Sequence, residues 1–140
     1  MVREMAYEFE GLFARPPVVR PGGLPEGAVW RAIDTPFRGV GLLLPESFGR
    51  TQDVAAVWQL SQQFGFASAD WLYLTYLCWG GRIDFVYGFG SRDGRAFGPI
   101  TESAPDAVQG AYTRLMNEFG VSAADALNFP PFVRGFWGKI

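Results

Sequence analysis

The sequence predicts an α+β domain: a mainly antiparallel sheet with two principal helices packed on it. Apolar residues alternate with a period of two through the middle of the chain, and they recur at helical spacing in two other stretches. Strands and helices therefore fall in separate runs, the pattern of α+β rather than of alternating α/β. With 140 residues, of which 49% are hydrophobic and 16% aromatic, the chain can bury a core as a single domain spanning 1–140.

Tyr7, Phe9, Gly11 and Phe13 fall on one side of an extended chain and Glu8 and Glu10 on the other, which predicts a first strand. From Arg15 to Gly27 the prolines lack amide donors and the glycines loosen the backbone, so a loop is expected. Val29 to Ile33 and Val40 to Leu44 follow as short strands, broken by Pro36 and ended by Pro45. Thr51 can cap a helix near 52–64, with Asp53 at the positive end of its dipole. Val54, Val57, Trp58, Leu60 and Phe64 recur at helical spacing, and Gly65 ends the run.

Trp71 to Trp79 carries apolar residues on both faces, Gly80-Gly81 makes a turn, and Arg82 to Tyr87 returns as an alternating strand. A second turn at Arg92-Asp93-Gly94 leads into Arg95 to Ile100, completing a three-stranded meander. Pro105 suits a first helical turn, and Val108, Ala111, Tyr112, Leu115, Met116 and Phe119 line one face of a helix near 106–119, stopped by Gly120. Ser122 caps a short turn through Leu127.

The formal net charge is −2, so no basic field gathers phosphates by counterion release, and nucleic acid is not an expected partner. Cys78 is the single cysteine and lies in an apolar run, which predicts a buried free thiol and a reducing compartment. Glu4, Glu8 and Glu10 occupy the place where a signal peptide needs its apolar core. Apolar stretches fall short of the roughly 18 residues of a membrane span. A cytoplasmic protein with no membrane partner is expected.

The sequence has no histidine, which removes the commonest general base and the usual nucleophilic triads and zinc sites. Asp84, Asp93, Glu102 and Asp106 lie in turns or at strand edges without the spacing of a carboxylate pair. Gly88-Phe89-Gly90-Ser91-Arg92-Asp93-Gly94 superficially resembles a dinucleotide loop, but its third glycine is one place late and Arg95-Ala96-Phe97-Gly98-Pro99 cannot open a helix there. Neither catalysis, a cofactor nor a metal is expected, and a hairpin turn accounts for the glycines.

Trp71-Leu72-Tyr73-Leu74, the run from Trp79 to Gly88, and the closing Asn128 to Phe132 with Arg134 to Gly138 resemble small bacterial immunity proteins of polymorphic toxin systems. The resemblance covers roughly the C-terminal half. It implies a protein that binds one cognate cytosol-acting toxin and blocks its active site or substrate path, a role that needs a complementary surface rather than catalytic residues. Asp93 at a turn tip, with Glu102 and Asp106 flanking a helix N-terminus, are the candidate contacts with a basic or donor-rich site, expected near one end of the sheet. Phe129, Phe132, Phe136 and Trp137 sit among Pro and Gly, where they either close over the domain or form a hot spot; Phe132, Phe136 and Trp137 are thus a second candidate surface. Two other roles stay open: a small-molecule sensor or carrier closed by the 15–27 loop and the tail, and a small carboxylate-dependent enzyme.

Overall fold

The period-two segments pair into one six-stranded antiparallel sheet in the computed structural model, which describes residues 6–16, 27–44, 54–63, 66, 70–79 and 82–129. In chain order the elements are β1 (Ala6–Ala14), β2 (Val29–Ile33), β3 (Gly39–Leu43), α1 (Val54–Gln63), β4 (Trp71–Trp79), β5 (Arg82–Arg92), β6 (Arg95–Glu102), α2 (Val108–Glu118) and α3 (Ala123–Ala126). The spatial order is β2-β3-β1-β4-β5-β6, so β1 and β4 occupy the centre. They pair without a break from Ala6↔Trp79 to Ala14↔Trp71.

Both faces of this central pair are buried, because successive side chains point to opposite faces and each face has its own cover. Phe9, Phe13, Leu72, Leu74 and Tyr76 belong to the core beneath α2 and α3. Leu12, Ala14, Trp71 and Tyr73 belong to a second core with Val57 of α1 and Phe66. Trp58 packs edge-on against Trp71 with ring centroids 4.9 Å apart. The expected helical face of α2 holds: Val108, Ala111, Tyr112, Leu115 and Met116 are all buried, and so is Phe119 just beyond it.

α2 starts two residues later than the spacing predicts, because Pro105, Asp106 and Ala107 form a turn whose amides at 107 and 108 both bond to Ala104 O. It ends as a Schellman motif. Gly120, with φ +89°, donates its N–H to Asn117 O, and Val121 donates to Met116 O. α3 is capped by Ser122, whose hydroxyl accepts from Asp125 N–H. It is tied to α2 by the Tyr112 hydroxyl, which donates to Ala126 O at 2.6 Å. Burial raises the Tyr112 pKa, so this donor keeps its proton.

The segment from Gly88 to Gly94 is mostly strand: β5 runs on to Arg92 and only Asp93-Gly94 turn. Both turn residues have positive φ, 53° and 78°, as two-residue hairpin turns of the primed type require. Gly88 and Gly90 instead permit close approach. A Cβ on Gly90 would lie 2.1 Å from Trp71 O, and one on Gly88 would lie 2.6 Å from Tyr73 O and 2.5 Å from a Leu115 methyl. Gly90→Ala is therefore expected to cost about 1–3 kcal/mol through backbone displacement. Gly110→Ala, on the exposed face of α2 with nothing near its Cβ, should add up to about 1 kcal/mol. Urea denaturation of both variants checks the two opposite signs.

Candidate functional site

The sheet has two unlike ends. At the first, β1 stops, β4 starts and β5 turns into β6; charged side chains from separate segments meet there around the last turn of α2. Arg15 follows β1 directly, and its backbone N–H donates to Asp70 O at 2.9 Å. Its guanidinium lies 4.3 Å from the Phe119 ring centroid and 5.2 Å from that of Phe37, and Nη1 donates to Phe119 O at 2.5 Å. A cation at the C-terminus of a helix is favoured by the dipole as well as by the hydrogen bond. Burial lowers the Arg15 pKa; Asp70 raises it again, Arg92 lowers it, and Asp93 raises it. Arg15 stays charged at neutral pH because guanidinium starts so far above it.

Asp93 lies at the tip of this end. Its N–H donates to Asp70 Oδ1 at 2.9 Å, which ties the turn to the start of β4, while its own carboxylate stays in solvent with the side chain 81% exposed. Arg92 Nε is 3.9 Å from Asp93 Oδ2, a long surface contact of small worth.

Glu102 and Asp106 lie at the opposite end. Glu102 closes β6 against Val86, whereas Asp93 follows Arg92, which pairs with Arg95 at the start of β6. The length of β6 separates them, on the order of 20 Å at strand rise. The expectation that Asp93, Glu102 and Asp106 share one end is thus corrected: a strand carries its two ends apart however close the residues look in sequence. Glu102 is also engaged locally, since its Oε2 accepts from Ala104 N–H at 3.1 Å and Ser103 N–H at 3.3 Å. Asp106 is exposed. Phe129 is buried, with its ring 5.1 Å from that of Phe13 and 6.1 Å from that of Phe37. Phe132, Phe136 and Trp137 lie outside the described residues, as does the side chain of Cys78.

Glu10 is a buried carboxyl, which strand alternation alone does not reveal. Glu10 faces the second core and pairs across the strands with Thr75, which in turn pairs with Tyr87. The Tyr73 hydroxyl donates to Glu10 Oε2 at 2.5 Å and accepts from Thr75 Oγ1 at 3.1 Å. Alternation placed Glu10 opposite Phe9, but only the apolar character of Leu12, Tyr73 and Phe89 on that same face signals that it is covered.

A concavity of about 290 Å³ opens at the β2–β3 turn, with Pro16, Ala32, Ile33 and Val40 forming its walls and Asp34 and Arg38 among its lining. Among the described residues no group of three or more Cys, Asp or Glu could hold a metal, and no helix is long and apolar enough to cross a membrane. Comparison with family models, curated proteins and solved structures finds no match to this chain.

Burial raises the Glu10 pKa above 4.5, partly offset by the Tyr73 hydrogen bond. The sign follows by linkage: stability contributed by the protonated carboxyl is full below 4.5 and is lost as pH rises through the raised folded value. Glu10→Gln should match the parent at low pH and become progressively the more stable of the two as pH rises. Urea denaturation across pH 3.5–8 reads this difference, roughly 1.4 kcal/mol for each unit of the pKa shift. Parallel curves for the two proteins would contradict it.

Proposed function

We propose that this chain binds and neutralises a cognate protein toxin acting in the cytosol, as immunity proteins do, with the β5–β6 tip as a principal contact. The observation that carries the reading is Asp93: an anion 81% exposed on a turn whose backbone is fixed to Asp70. A charge held in place before contact loses little entropy on binding, and it steers a donor-rich surface into register. Glu102 and Asp106 then form a separate acidic patch at the other end of the sheet, and Phe132, Phe136 and Trp137 of the tail are further contacts. The role asks for no catalytic residue, cofactor or metal in this chain.

The concavity beside Pro16 favours a second reading, a small-molecule sensor or carrier. Its volume of about 290 Å³ stands at the lower edge of the roughly 300–1,000 Å³ of ligand pockets. Ligand-dependent melting without a protein partner would mark that role.

Asp93→Asn separates charge from fold, because asparagine tolerates the left-handed backbone at φ 53° that the turn requires. The variant should keep its stability within about 0.5 kcal/mol. Binding to the protein encoded beside this chain should weaken about tenfold, a loss of roughly 1.4 kcal/mol, mainly through slower association. Calorimetry and stopped-flow kinetics check both; unchanged affinity would remove Asp93 from the interface.

A further inference from the structure

We infer that the end of the β5–β6 hairpin is an oxyanion-binding site formed by Arg92 and Arg95, with Arg15 behind them. Arg92 and Arg95 are directly opposite one another in the register, so their side chains leave the sheet on the same face. Like charges in that position repel, and the sheet gains nothing from the pair. Both residues are exposed. Arg95 makes no hydrogen bond or ion pair among the described residues, and Arg92 has only the 3.9 Å approach to the exposed Asp93 carboxylate.

Arg15 approaches from the core side. A Cβ on Gly120 would lie 3.1 Å from Arg92 Cζ and 3.3 Å from Arg15 Nη2, so two guanidinium groups converge over Gly120. Around Arg15, the Arg92 guanidinium is accompanied by two carboxylates, Asp70 and Asp93. Asp70 is further occupied in accepting the Asp93 N–H, and Arg15 in donating to Phe119 O. Among the described residues the planar donor forks of Arg92 and Arg95 have no closer partner, and such forks match the oxygens of phosphate and carboxylate groups. A multiply charged oxyanion between them would turn the repulsion into attraction. The tip is pinned to Asp70, so the backbone that carries the two arginines is fixed before any anion arrives.

The site requires no protein partner, so its test is independent of the toxin reading. The full chain is titrated with inorganic phosphate, and in parallel with succinate, at ionic strength held constant with chloride, while the arginine Nε–Hε resonances are followed. Those of Arg92 and Arg95 should move saturably. Arg92→Gln and Arg95→Gln should each weaken binding about tenfold, the loss of one charge-assisted contact. Asp93→Asn should tighten it, opposite in sign to its expected effect on toxin binding. Saturation by phosphate alone assigns a phosphate group, and saturation by both ligands assigns oxyanions in general, carboxylates included. Small unsaturable shifts shared by all arginines, or saturable binding that survives in the Arg92→Gln/Arg95→Gln double variant, would overturn the site.

Discussion

The Arg15 guanidinium joins the β2–β3 turn to the end of α2. It stacks on Phe37 in the β2–β3 turn and on Phe119 at the end of α2, and it donates to the Phe119 carbonyl. Through its backbone it reaches Asp70, and Asp70 holds the tip turn. One residue thus ties the C-terminus of a helix to the β2–β3 turn through its cation and to the start of a central strand through its backbone. Its desolvation is partly offset by the helix carbonyl, two aromatic faces and the nearby carboxylates. The exposed charges at the tip inherit their positions from this arrangement.

The sheet explains why such a connection is needed. β1 and β4 are buried on both faces, so α2 and α3 on one side and α1 on the other pack on separate cores with no shared side chains. Phe37 ties the β2–β3 hairpin to the α2 side of the sheet, inserting beside Phe119 at a ring separation of 5.1 Å. The glycines of β5 serve the same end, letting Leu115 and the backbone of β4 come closer than any side chain would allow.

Much of this was legible in the sequence, and the reasons are local. The period-two pattern located the strands of the meander, and the spacing from Val108 to Phe119 identified the buried face of α2 residue by residue. Gly120 and Ser122 signalled a helix stop and a helix start through backbone chemistry that needs no tertiary context. Properties set by register were not legible. Whether Asp93 and Glu102 share an end depends on the length of β6, which extends past Ile100 to Glu102. Gly88 and Gly90 read as turn residues because sequence cannot distinguish a glycine that bends the chain from one that admits a neighbour. Arg15 looked like the first residue of a loop, and Glu10 like the polar side of a strand; each gains its role from residues about 60 to 100 positions away.

Arg15→Met tests the central claim most directly, since it keeps the aliphatic stem beside Phe37 and Phe119 and removes the guanidinium. Amide hydrogen exchange read along the chain is the measurement. If the Arg15 guanidinium holds the end of α2, protection should fall at Gly120 and Val121 while the paired amides of β1 and β4 keep theirs. Unchanged protection at those two amides, or an even loss across β1 and β4, would contradict the account.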